Sequence, residues 1–517
     1  MTWITALIAF PLLAAAGVAL LPKLVDEDWA PLAAFGLSLV PLVASVYVWL
    51  TQFGEAGNAL LDAGAVQLQE RVAWFDVAGY SVEYFVGLDG ISMPLVLLTT
   101  LLVTLAIMSA WHAIDERKPQ FYALVLVLEA ALIGVFTALD FLLFYVWWEA
   151  VLVPMYFLIA IWGGPRRRYA GMKFFVYTNI ASLVMFIGAV ALYFNTGVDS
   201  LSMIAVTEAV QSGALSSAFG IPAEAIGLAI FVALFLGFAV KVPLVPFHTW
   251  LPDAHVQAPT PVSVILAGVL LKMGTYALLR FNFTMLSEIA VSLAMPIAVL
   301  GLVSVIYGAL LAMAQLDLKR IVAYSSISSM GYVLIGLAAY TSFGVGGATF
   351  QMLSHGLISG LMFMVVGVIY HQTHTRDVRE VSGLIDRMPL VAGVFVVASF
   401  AYMGLPGMSG FAAEIFVFLG GMASDVMAGS RLIVPLAMFG IVLVAGYLLY
   451  ALQRTLFGDY DAPARYRDEV GDASVSEAVP LLVLIVVIAA LGIQPDIAYD
   501  MIQASTRGVV ALAGGGA

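Results

Sequence analysis

The sequence predicts an all-α integral membrane protein of about fourteen transmembrane helices, with two inverted five-helix repeats and with helices 7 and 12 broken. Three observations predict it. Of 517 residues, 62% are hydrophobic and 10% charged, with a mean hydropathy of +1.03, whereas soluble proteins carry about 25% charged residues. Apolar stretches of about 18 residues or more recur from end to end, each long enough to cross a ~30 Å hydrocarbon core as a helix. Finally, the basic residues sort between the loops as the positive-inside rule requires.

The candidate spans run over about 2–22, 30–51, 88–112, 119–138, 141–162, 172–195, 225–250, 258–281, 287–313, 320–341, 345–371, 389–420, 432–456 and 477–497. Helices 1–3 occupy 1–118, a first repeat of helices 4–8 occupies 119–281, and a second of helices 9–13 occupies 287–456. A cytoplasmic loop, helix 14 and the C-terminal tail fill 457–517. The first stretch, Trp3 to Leu21, lacks a basic leader and a small-residue cleavage site, so it is read as a retained helix. With the N-terminus outside, fifteen lysines and arginines fall in cytoplasmic loops, among them Arg166, Arg167, Arg168 and Lys319. Only Arg71, Arg280, Arg431 and Arg507 fall on the other side, while Lys241 and Lys272 remain inside helices. The 52–87 connection is polar and long enough for a short strand pair. The 196–224 connection has room for an interfacial helix, and the tail after Arg507 reads as a frayed end.

The net charge of −12 is spread thinly without a basic stripe, which excludes a nucleic-acid surface. Absence of cysteine excludes disulfides and cysteine-ligated iron–sulfur clusters within the chain.

A charge at mid-bilayer costs from about 2.5 to over 10 kcal/mol, so such residues face protein or water and mark function. Lys241 follows the apolar run Ile230–Val240, and Lys272 lies as deep in the next span. Glu149, in FLLFYVWWEAVLVPMYF, and Glu414, in GLPGMSGFAAEIFVFLGG, are their acidic counterparts. Glu129 and His355 are also mid-span, where a hydrogen-bonded tie between helices fits them equally well. Asp140, at the outer end of span 5, reads first as an interfacial cap. His248, Asp253 and His255 lie in the loop PFHTWLPDAH as proton-uptake groups or as parts of a structured turn. Pro243 and Pro246 break span 7 just after Lys241, and Gly404, Pro406, Gly407 and Gly410 break span 12 just before Glu414. Paired interrupted helices mark a transporter built from inverted repeats, with its working site at the breaks. Backbone groups freed there bind water and give protons a route to the buried charges.

These segments, with VKVPLVPFHTWLPDAHVQAPT, VILAGVLLKMGTYALLRF and DLKRIVAYSSISSMGY, resemble the antiporter-like subunits of proton-pumping NADH:quinone oxidoreductase, respiratory complex I, of the chain M or mitochondrial chain 4 type. The resemblance covers about residues 85 to 456 in collinear order. It implies that Glu149 pairs with Lys241, that Lys272 continues a hydrophilic axis, and that Glu414 ends it at the exit. Separating the pair would then let Lys241 release its proton toward Lys272, His355 and Glu414, and reforming it would draw one from the cytoplasm. Chain L and the antiporter subunits usually have lysine at the last position, so Glu414 favours chain M, as does the lack of a long helical extension after span 14. The family commonly has histidine where Ser329 stands, so that histidine's role does not carry over.

The resemblance further implies that this chain binds no cofactor or metal and that NADH and quinone bind other subunits. Its expected partners are the other membrane subunits, two further antiporter-like chains among them, together with membrane lipid. A component of a multisubunit sodium/proton antiporter is the alternative. A haem-bearing subunit is disfavoured because His355 is the one clear mid-membrane histidine, and no G-x-G-x-x-G follows a strand to bind NADH. Six lysines against fifteen arginines point to a GC-rich bacterial genome and hence to a bacterial plasma membrane, with the mitochondrial inner membrane as alternative.

Overall fold

The computed structural model describes residues 2–23, 25–51, 53, 57–77 and 79–514. Two helices, α1 (Trp3–Leu20) and α2 (Ala30–Thr51), open the chain. The polar connection after them forms the expected strand pair, β1 (Gln67–Val77) antiparallel to β2 (Tyr80–Leu88). Glu70 of this hairpin accepts the Ile4 N–H at 2.7 Å and bonds the Thr5 hydroxyl. A carboxylate thereby meets the unpaired donors and positive end of α1.

Next come α3 (Ser92–Ser109) and α4 (Lys118–Thr137). One span then contains α5 (Phe141–Ala150) and α6 (Leu152–Trp162). Its hydrogen-bond ladder lapses at Val151, where Pro154 lacks the N–H that the Ala150 carbonyl would accept. The long α7 (Arg167–Thr196) is followed by α8 (Met203–Gln211), the short helix expected within 196–224. Helix α9 (Ala223–Lys241) stops at Lys241, and a turn over 242–249 holding Pro243 and Pro246 leads into α10 (Trp250–Gln257).

The next span, Thr260–Met285, consists of α11 (Thr260–Ile265), a π-helical turn at Leu266–Leu270, α12 (Leu271–Ala277) and a second π-helical stretch at Leu278–Met285. After the short α13 (Ser287–Ser292) come α14 (Ala294–Met313), α15 (Leu318–Ala338) and α16 (Ser342–Thr373). The predicted break of span 12 is present: α17 (Pro389–Tyr402) and α18 (Ser409–Met422) are separated by the non-helical residues 403–408. The chain closes with α19 (Ser430–Leu456), α20 (Val475–Ile493) and α21 (Asp496–Ala511).

Among the described residues thirteen helices are long and apolar enough to cross a bilayer, and the two halves of the broken span, α17 and α18, are shorter apolar helices. The Thr260–Met285 span and the central part of α16 are buried, whereas α1, α2, α7 and α20 leave most of their apolar surface outward for lipid or neighbouring chains. The two central spans touch backbone to backbone. A Cβ on Gly356 of α16 would lie 2.7 Å from the Gly268 carbonyl oxygen, so only glycine permits this approach.

Three expectations are corrected. The tail beyond Arg507 continues as helix to Ala511, with Val509 and Val510 buried, because α21 packs onto α16. Lys319, expected in a cytoplasmic loop, is buried and donates to the Ala258 carbonyl at 2.8 Å. Arg280, expected outside, is 1% exposed and bonds Asp89 at 2.6 Å and Asn58 at 2.9 Å. Burial alone would raise the Asp89 carboxyl, but the guanidinium and the Ala59 and Ser92 N–H groups hold it below its ordinary value. The pair fastens the 57–61 segment over the end of the Thr260–Met285 span. Asp89→Ala is expected to cost about 3–5 kcal/mol by stranding a buried cation. Subunit abundance in membranes should fall, and the double change Asp89→Leu with Arg280→Met should recover part of it.

Candidate functional site

Lys241 is the last residue of α9 and is 1% exposed. Its Nζ has no hydrogen-bond partner among the described residues and faces aromatic rings instead, 5.1 Å from the Trp148 centroid and 5.9 Å from that of Phe174. Cation–π attraction compensates part of its desolvation. Glu149 stands one residue on from Trp148, beside the lapse at Val151. Its Oε2 accepts from Asn179 at 3.3 Å, and Oε1 is unpaired. Glu149 acts on Lys241 by its charge but makes no ion pair with it. The implied Glu149–Lys241 pair is therefore open in this structure, with Glu149 bonded to Asn179 and Lys241 facing the rings of Trp148 and Phe174.

Lys272 lies between the two π-helical stretches of its span. The first of them frees the Ala267 carbonyl, which accepts from Lys272 Nζ at 2.6 Å. The same Nζ meets His355 Nδ1 at 2.6 Å, across the close α16 contact made by Gly268 and Gly356. The other ring nitrogen of His355, Nε2, lies 3.0 Å from the hydroxyl of Tyr402, and that hydroxyl is 3.2 Å from Ser326 Oγ on α15. A continuous hydrogen-bonded line thus runs across four spans. His355 is a tie between helices, as expected, and also an ionisable group within the line.

Glu414 is buried near the start of α18. Its Oε2 has no hydrogen-bond partner and packs on Gly404, where a Cβ would lie only 2.3 Å away. Gly404 has φ +66°, a left-handed backbone that favours glycine. The hydroxyls of Tyr332 and Tyr447 are within electrostatic reach of Glu414. Pro406 lies in the same break.

The remaining expected residues divide by position. Asp140 caps α5, accepting from Leu142 at 2.9 Å, Leu143 at 3.1 Å and Glu83 at 3.2 Å, and burial raises its carboxyl to about 6. Glu129 is fully buried with both oxygens unpaired, so the helix tie that its position allowed is not made. Asp253 bonds Lys173 at 2.7 Å and reaches Arg320 at 3.5 Å, clamping α10 to α7 and α15. His248 packs against the rings of Tyr307 and Tyr324. His255 is fully buried and stacks on Phe363 at 4.4 Å, with both ring nitrogens unpaired. Sequence reasoning missed Tyr402 and the π-helical turns around Lys272. Tyr402 was findable as the last polar residue before the Gly404–Pro406 break. The π-helical turns carry no such local mark.

The arrangement holds ionisable groups in a low-dielectric interior with unpaired atoms at both ends and a hydrogen-bonded run between. Such a set can store and pass protons, since each charge state responds strongly to its neighbours.

The family described as "NADH:quinone oxidoreductase/Mrp antiporter, TM" matches residues 138–440, and "NADH-ubiquinone oxidoreductase chain 4, amino terminus" matches residues 71–135. NAD(P)H-quinone oxidoreductase chain 4 1 of Synechococcus sp. (strain JA-3-3Ab) is 42% identical over 512 residues, covering 98% of this chain and 93% of the relative. The chain 4 of Gloeobacter violaceus is 38% identical over 506 residues, covering 98% and 92%. In fold, the chain is similar to one in respiratory complex I from Thermus thermophilus, with TM-score 0.84, 24% identity and coverage of 99% and 100%. A chain of the Mrp complex from Dietzia sp. has TM-score 0.82, 22% identity and coverage of 100% of each.

Proposed function

The chain belongs to the NADH-quinone oxidoreductase chain 4 family, and from that premise we propose that it moves protons along Glu149, Lys241, Lys272, His355 and Glu414, driven by quinone reduction in other subunits. The observation that carries this reading is the bonded run from Lys272 through His355 to Tyr402, set between the unpaired Lys241 and Glu414. An ionised Glu149 brought against Lys241 would stabilise the ammonium. Withdrawal of Glu149 would remove that stabilisation, and burial would then expel the proton toward Lys272. The open pair in this structure corresponds to the withdrawn state of the scheme. The two breaks, after Lys241 and before Glu414, are the hinges and wet ends of the path, one in each inverted repeat.

In this proposal the chain binds no cofactor and has no redox centre, and NADH and quinone bind elsewhere in the complex. Its outward apolar helices pack against other membrane subunits, two antiporter-like chains among them, and against lipid. The protein lies in a bacterial plasma membrane with its N-terminus outside, which the bacterial origin of its relatives supports.

A sodium/proton antiporter component is the second reading, favoured by the fold shared with the Mrp chain. Affinity purification of the tagged chain from its native membrane separates the two. The expected result is co-purification with NADH-oxidising subunits and proton transport that depends on NADH. A preparation without such subunits that exchanges sodium for protons would establish the antiporter reading instead.

A further inference from the structure

We propose that the Tyr402 hydroxyl is a proton relay, receiving from His355 and delivering to the serines of α15 on the way to Glu414. The inference rests on the proton-path reading above and extends it to a residue that neither the sequence patterns nor the resemblance assigned.

Tyr402 is the last residue of α17, at the edge of the break that ends beside Glu414. It is 6% exposed and lies edge-on to the His355 ring, the planes 86° apart. Its hydroxyl has partners on two other helices: His355 Nε2 of α16 at 3.0 Å and Ser326 Oγ of α15 at 3.2 Å, with Ser329 one helical turn beyond Ser326. A buried phenol that only packs is satisfied by one partner. This one joins a ring nitrogen of α16 to a hydroxyl of α15 where the line must leave α16 to approach α18. The break is also pinned, since Ser354 of α16 donates to Ser409 of α18 at 2.8 Å.

A phenol both donates and accepts, so it can take one proton while surrendering another. In the proposed step the Nε2–H bond breaks and the proton joins the Tyr402 oxygen, while the original phenolic proton passes to Ser326 or Ser329. The serine releases its own hydroxyl proton toward Glu414, and Lys272 supplies a proton to Nδ1. One proton leaves Lys272 and one arrives beyond Tyr402. Reorientation of the imidazole and the hydroxyls then resets the line without an oxidant or any other reactant. Because Ser329 lies one turn beyond Ser326 on the same face of α15, an imidazole at position 329 would extend toward His355 and replace the missing oxygen.

The test uses the assembled complex in proteoliposomes with Tyr402→Phe, which removes one oxygen and keeps the ring. Subunit content should stay normal while NADH-driven proton translocation falls by about tenfold or more. Adding Ser329→His to Tyr402→Phe should restore most of the translocation, a recovery that a packing role does not give. Normal translocation in Tyr402→Phe overturns the relay, and so does a loss that Ser329→His fails to rescue. Lys272→Ala in the same preparation separates the two levels. If it is impaired while Tyr402→Phe is not, only the relay falls. If Lys272→Ala translocates normally, the path reading fails and the relay with it.

Discussion

Lys241→Ala and Lys241→Arg are both expected to lower NADH:quinone turnover by about tenfold or more, with the subunit still present in the membrane. The reason lies in what surrounds the amine. Lys241 Nζ has no hydrogen-bond partner among the described residues, only the faces of Trp148 and Phe174 and the more distant charge of Glu149. A carrier in that setting must lose and regain its proton as Glu149 moves. Guanidinium keeps its proton at all accessible pH values, so arginine preserves the charge and removes the chemistry. A structural ion pair predicts the reverse order, with arginine holding Glu149 well and alanine lowering subunit abundance. Turnover measured beside abundance separates the two. Near-normal turnover in Lys241→Arg would sink the carrier role.

Glu414→Ala should likewise remove most proton translocation while assembly survives. Its Oε2 has no hydrogen-bond partner and the carboxylate lies against Gly404, so alanine breaks no bonded tie at Oε2 and leaves the helix start at Ser409 intact. The loss would fall on the group that accepts the proton after Tyr402 and its serines. Glu414→Lys should be milder than Glu414→Ala, because an amine at the same position can also titrate. Equal activity of wild type and Glu414→Ala at equal abundance would remove Glu414 from the path.

The crossings, the broken span 12 and the stop after Lys241 were legible because hydropathy, proline and glycine act locally along the chain. The strand pair and α8 were legible for the same reason, as polar connections too long to remain featureless. Arg280 and Lys319 were misplaced since both sit near span ends, where burial depends on packing by other segments: residues 57–61 over Arg280, and the Ala258 carbonyl against Lys319. The ends of the site, Glu149, Lys241 and Glu414, stood out as charges in apolar surroundings. Lys272 and His355 stood out in the same way, but the link onward from them did not: only the meeting of α15, α16 and α17 places Tyr402, the last polar residue before the break, between His355 and Ser326.

The central claim is that protons cross the membrane through this subunit, and proton yield per NADH oxidised tests it most directly. The measurement is made on proteoliposomes of the whole complex, comparing wild type with Lys241→Arg and Glu414→Ala at matched subunit content. The account predicts that each variant either moves fewer protons per NADH or stalls NADH oxidation by quinone. Unchanged yield at an unchanged rate in both variants would contradict it.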